Sequence, residues 1–110
     1  MNREVESTIE QINKVKIISK EISYKINSSQ ENNAMKIIAI VADEIEVLIK
    51  FLQSINLSYK NVVDITSLNP AMKEVIEAME NEDYVLVGDL FEYEFLPVLD
   101  EMEVRIRNLN

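Results

Sequence analysis

The chain is 110 residues long, 47% hydrophobic and 28% charged, with a net charge of −9, one glycine, and no cysteine, histidine or tryptophan. That length fits one domain with a single core, and the composition excludes disorder of the whole chain. The missing residue types exclude Cys/His zinc sites, His-based nucleophilic triads and Glu-x-x-His di-iron bundles, while the lone glycine excludes P-loop and GxGxxG motifs and the tight turns of a sheet protein.

The first predicted element is an amphipathic helix over about Arg3 to Ile26. Val5, Ile9, Ile12, Val15, Ile18, Ile22 and Ile26 recur at steps of three and four, and Ile17 and Tyr24 lie off that stripe and widen it. The polar run from Asn27 to Asn33 reads as a loop. A second helix is predicted over about Ala34 to Ile55, with Ile38, Val41, Ala42, Ile45, Leu48, Ile49, Leu52 and Ile55 on one face. Ile37, Ile40, Val47 and Phe51 widen that face past half the circumference, which fits a central helix or one at a dimer interface.

Asn56 to Asn69 mixes turn formers with Val62, Val63, Ile65 and Leu68, and reads as a connector with room for a helical turn. Asn69 and Pro70 then predict a helix start, with Asn69 as N-cap and Pro70 in the first turn. The third helix is predicted to be short, about Pro70 to Glu80, with Met72, Val75, Ile76 and Met79 inward. No glycine or proline separates it from the next element, which leaves a continuous helix as the alternative; a break near Asn81 is preferred because it keeps Glu82 and Asp83 off the apolar stripe.

The fourth helix is predicted from about Asp83 to Arg107, with Tyr84, Val87, Phe91, Phe95, Val98, Met102, Ile106 and Leu109 on its apolar stripe and Leu86, Leu90 and Tyr93 on an adjoining face. Its acidic start and its terminal Arg105 and Arg107 suit the helix dipole. Pro97 falls inside it and predicts a kink between Tyr93 and Pro97, the alternative being two helices that meet there. Gly88, one turn after Tyr84, implies a close helix neighbour or no packing role. The fold expected is an all-α, up-and-down four-helix bundle in one domain, residues 1–110, with a short third helix and a fourth kinked near Pro97. The short element leaves a gap that a homodimer is placed to cover.

No predicted helix has about 20 uncharged apolar residues, and Met1 to Glu10 holds no apolar leader core. No membrane association and a cytoplasmic location are therefore expected. The charge is uneven. Residues 1–60 carry eight acidic and eight basic side chains, whereas residues 61–110 carry twelve acidic ones against Lys73, Arg105 and Arg107. A nucleic-acid partner is disfavoured by such a surface, and a basic or helical protein partner is allowed.

Carboxylate chemistry is what remains for catalysis. Glu74-x-x-Glu77 and Glu77-x-x-Glu80 have the spacing of the Mg²⁺-binding runs of all-α nucleotide pyrophosphohydrolases, as an acidic solvent face also would. Such spacing is frequent by chance in an acidic helix, so no metal, cofactor or enzymatic activity is expected; a hydrolase would require at least three carboxylates converging in one cleft. The aromatic cluster of the fourth helix offers a groove for a partner helix. Tyr84, Asp89, Tyr93, Glu94 and Pro97 are the candidate partner-binding residues.

The stretch from Asn81 to Asp100 has an Asp83-Tyr84 start, a central Asp89, a Glu92-Tyr93-Glu94 run and Pro97-x-Leu99. This resembles the C-terminal signature of a family of small uncharacterised helical proteins of Firmicutes, and the resemblance covers about a fifth of the chain. In size, helicity and acidity the protein is also similar to flagellar and secretion export chaperones. That similarity is generic, without their specific motifs; the wide apolar surface of the second helix and the aromatic fourth helix are what point to a non-enzymatic, chaperone- or adaptor-like binding module. The alternatives are a carboxylate-metal nucleotide hydrolase and a structural or regulatory homo-oligomer.

Overall fold

A computed structural model describes residues 2–109, and the regular elements among them are all helical. α1 is Arg3–Asn27, α2 is Glu31–Tyr59 and α3 is Asn69–Glu80, with a 3-10 turn at Ile65–Leu68. The last helix, α4, runs unbroken over residues 84–107 as α-helical Tyr84–Leu90, a π-helical turn Phe91–Phe95 and α-helical Leu96–Arg107. The predicted up-and-down four-helix bundle is therefore the observed architecture.

α1 is the central helix, packed against both α2 and α4. It begins where Asn2 accepts a hydrogen bond from the Val5 N–H at 3.0 Å. It ends in a turn where the Gln30 N–H donates to the Lys25 carbonyl and Ser29 sits at φ 60°. Val5, Ile9, Ile12, Val15, Ile22 and Ile26 are buried as predicted, and Ile18 is half-buried.

α2 runs antiparallel to α1. Near mid-helix, Gln11 Nε2 donates to the Glu44 carbonyl at 2.8 Å, and at the far end Ser54 and Ser58 donate to the Glu4 carboxylate. At 29 residues α2 spans about 43 Å, matching the 42 Å long dimension of the molecule. It is longer than its apolar pattern predicts at both ends. Asn56 is not a stop signal: its side chain reaches forward to accept from the Val63 N–H at 3.0 Å and donate to the Val63 carbonyl at 2.9 Å. That pair pins the connector back onto the helix end.

The connector buries Val63 and Leu68 and enters α3 directly. Asn69 is not the N-cap predicted for it. Its backbone is helical, at φ −62° and ψ −45°, and its N–H donates to the Thr66 carbonyl. The start is set one turn earlier, where Asp64 accepts from the Thr66 N–H at 3.0 Å. The 3-10 turn overrides the extended preference that Pro70 imposes on its predecessor.

The break between α3 and α4 falls where predicted. The Asp83 N–H donates to the Ala78 carbonyl at 2.8 Å, closing α3, and the Asp83 side chain caps α4 by accepting from the Leu86 N–H at 3.2 Å. This turn requires Glu82 at φ 55°, a left-handed conformation that costs an L-residue roughly 1–2 kcal/mol. Glu82→Gly is expected to stabilise the fold by about 0.5–1 kcal/mol after the larger unfolded-state entropy of glycine is subtracted. Urea midpoints at constant slope check this.

Ahead of Pro97, where a kink is expected, the helix holds a π-turn, with the Leu96 N–H donating to the carbonyl of Phe91, five residues back. Pro97 then occupies the first turn of the following α-helical stretch, where its missing N–H costs least. The turn also corrects phase. Val87, Phe91, Phe95 and Leu99 are all buried at consecutive steps of four. Each such step overshoots a regular turn by about 40°, and the wider π-turn absorbs the drift.

Gly88 lies buried against α1, yet a Cβ added there meets the Ile26 side chain at 3.4 to 3.6 Å, ordinary contact distance. Close approach therefore does not require glycine. Gly88→Ala is expected to gain about 0.5–1 kcal/mol from helix propensity, read as a higher urea midpoint.

Candidate functional site

The four helices do not close on themselves. α4 runs antiparallel to α1, with Gly88 beside Ile26 and Asp100 and Glu103 beside Lys16. α3 packs on α4 and makes little contact with α2. The opening between α2 and α3 is an apolar groove of about 300 Å³. Met35, Ile38, Ala39 and Ala42 line one wall, Met72, Ile76 and Met79 the other, and Phe91 and Phe95 form the floor. The floor is rigid: the two rings stack with centroids 5.0 Å apart and planes at 19°, and both are fully buried.

The apolar stripe predicted to turn α3 inward is what builds the second wall. Only Val75 of that stripe is buried; Met72 and Met79 are half-buried and Ile76 is 54% exposed. The residues α3 buries against α4 are Val75 with the small Ala71 and Ala78. Small side chains let α3 sit close to α4, and its larger apolar residues are left facing α2 across the groove. Likewise Ala42, predicted in the core face of α2, is exposed on the groove.

Away from the groove, Lys16 ties α1 to α4 through ion pairs with Asp100 at 2.5 Å and Glu103 at 2.7 Å. Partial burial works to lower the Lys16 pKa, but hydrogen bonds to the two carboxylates outweigh it and hold the ammonium above its ordinary value. The hydrogen bond from Lys16 holds Glu103 below the usual carboxylate value, and Lys14 with Gln11 does the same for Glu44. Depressed carboxylates stabilise above the ordinary 4.5 and lose that contribution as pH falls through their folded values. A raised lysine stabilises below 10.5 and loses it as pH rises through its folded value. Urea midpoints are expected to fall below pH 4.5 and above pH 10.5. Lys16→Met should flatten part of the acid limb, since Glu44 keeps Lys14, and weaken the alkaline one.

The five candidate residues of α4 do not line the groove. Asp89, Tyr93, Glu94 and Pro97 are exposed, Tyr93 at 67%, and Tyr84 is half-buried at the helix start. Phe91 and Phe95 of the same helix face the groove instead, and Tyr93, between them in sequence, points elsewhere on the helix. The groove in the structure is thus not the one expected on the aromatic helix: its walls come from α2 and α3, and neither Tyr93 nor Pro97 lines it. The residues missed as site residues are Met35, Ala39, Met72, Ile76 and Met79. An apolar stripe of methionines on a short helix with small residues beside it was the available signal.

Among the described residues, no three carboxylates gather where they could hold a metal ion. Glu74 and Glu77 lie in a shallow cleft between α3 and α4 with Asp83, and all three are exposed. A cleft of about 400 Å³ between the connector and the end of α4 contains Asp64 and Glu101, the latter paired with Arg105 at 3.1 Å.

No helix among the described residues is long and apolar enough to cross a membrane. No curated protein and no solved structure matches the chain. Residues 3–104 match the family described as "Domain of unknown function (DUF8042)". The match takes in all of α1 to α3 and α4 as far as its last turn, so the walls and floor of the groove are family territory, and the chain belongs to that family of domains of unknown function.

Proposed function

We propose that this protein is a non-enzymatic binding module that holds an apolar helical segment of a protein partner between α2 and α3. The observation that carries this reading is the groove itself, a strip of apolar side chains that the chain's own helices leave open. Three of its lining residues are methionines. Their flexible, polarisable side chains suit a surface that adapts to its guest. The rigid Phe91–Phe95 floor supplies the anchor site that such grooves need. A chaperone- or adaptor-like role in the cytoplasm, of the kind that serves motility or secretion, fits the size, helicity and acidity of the chain.

The test is site-specific photo-crosslinking in producing cells. A crosslinker at Ala39, on the groove wall, is expected to trap a defined partner, while one at exposed Lys20 of α1 traps none. Ala42→Trp, which fills the groove from an exposed position, should abolish the Ala39 product. Equal trapping from both positions, or an Ala39 product that survives Ala42→Trp, would contradict the proposal.

A further inference from the structure

The chain holds no thiol, so the thioethers of methionine are its only sulfur. Apart from Met1, its methionines are Met35, Met72, Met79 and Met102. The first three converge on the groove from two helices. Met35 stands on the α2 wall, while Met72 and Met79, seven positions apart and therefore on one helix face, stand on the α3 wall. All three are half-buried, within reach of small solutes. Met102 is 3% exposed, beneath the separate cleft at the connector. No side chain lining the groove carries a hydrogen-bond donor.

We infer that Met35, Met72 and Met79 form a sulfoxidation site, at which peroxides turn the groove from an apolar surface into a polar one. A sulfur lone pair attacks one oxygen of the peroxide, and an S–O bond forms as the O–O bond breaks. With hydrogen peroxide, the departing oxygen takes up the proton of the transferred one and leaves as water. The thioether is oxidised by two electrons and the peroxide is reduced by two. No cysteine competes for the oxidant. The product acts on the groove and not on the fold. In the open groove each sulfoxide oxygen is hydrated, so the chain itself loses little. Under an apolar guest the same oxygen is stripped of water among side chains that offer it no donor, and the guest is the poorer for it. The oxidation stands on exposure alone, whereas its effect as a switch rests on the groove as the binding surface.

The experiment treats the whole chain with dilute hydrogen peroxide and follows oxygen uptake at each methionine by peptide mass spectrometry. Binding of the neutral apolar dye Nile red is read by fluorescence on the same samples. Met35, Met72 and Met79 are expected to oxidise at least about tenfold faster than Met102, which reacts only when the core opens. Dye affinity should then fall at least about tenfold, with the far-UV circular dichroism unchanged. Reductases for the two sulfoxide epimers should restore it. The triple variant Met35→Leu, Met72→Leu and Met79→Leu conserves apolar volume and should bind the dye equally before and after peroxide. Oxidation of Met102 as fast as the other three overturns the site. Selective oxidation that leaves dye binding unchanged overturns the switch, as does a loss of binding that the leucine variant shares. Dye binding that is absent before oxidation, or that survives Ala42→Trp, overturns the groove as a binding surface and the switch with it.

Discussion

Replacing Phe95 with alanine is expected to cost about 3–5 kcal/mol of folding free energy and to lower the thermal midpoint by more than about 10 °C. Phe95 is 1% exposed and stacks on Phe91, which is 2% exposed. Truncation removes the transfer energy of a full aromatic side chain, the stacking with its neighbour, and the support on which the groove rests. The π-turn adds to the cost, because residues 91–95 hold their wider helical geometry through the packing of these two rings and the proline that follows. A domain of this size has only about 5–15 kcal/mol to lose. Equilibrium urea unfolding checks the value, with Phe95→Leu as the milder control. A loss below about 1 kcal/mol would mean that the ring is solvated and the groove has no fixed floor.

Ser19→Ala is expected to raise stability by about 1–2 kcal/mol. Ser19 is fully buried on α1, and its Oγ is the one buried side-chain oxygen or nitrogen without a hydrogen-bond partner among the described residues. The other buried polar groups of α1 are satisfied. Thr8 donates to the Glu4 carbonyl at 2.8 Å, Gln11 to the Glu44 carbonyl at 2.8 Å, and Ser23 to the Glu92 carboxylate at 3.2 Å. Alanine removes an unpaired hydroxyl from the core and improves helix propensity, leaving only a small void. The measurement is the urea midpoint at unchanged slope. A destabilised variant would mean that the hydroxyl has a partner, a buried water or a backbone carbonyl, whose loss outweighs the gain.

The fold is legible in the sequence because nearly every helix announces its buried face. On α1 the stripe from Val5 to Ile26 is buried but for the half-buried Ile18, while Ile17 and Tyr24, expected to widen it, are exposed, and the single glycine excludes the competing sheet architectures. The departures share one physical cause. Periodicity says which face of a helix avoids water but not whether the fold supplies a cover. Met72, Ile76 and Met79 read as core for that reason, and they are the groove wall. Asn69 reads as a cap because local propensity favours one there, and the 3-10 turn held by Asp64 reaches it first. The π-turn is visible in retrospect as consecutive steps of four from Val87 to Leu99, and Pro97 marks only its end.

The groove itself is harder to read. It depends on where α3 lies relative to α2, and that placement is set by Val63 and Leu68 of the connector and by two alanines too small to stand out in an apolar pattern. The exposed aromatic and acidic residues of α4, from Tyr84 to Pro97, drew attention through composition. Phe91 and Phe95, the groove-facing members of that helix, look like ordinary core residues when only the sequence is considered.

The most direct test of an open groove uses methyl resonances. In protein labelled with ¹³C at methionine methyls, a small soluble nitroxide added to solution should broaden the signals of Met35, Met72 and Met79, which line the groove. The signal of Met102, 3% exposed in the core, should remain sharp and serve as the internal control. Protection of all four methyls alike would mean that α3 closes onto α2 in solution, and would contradict a binding surface between them.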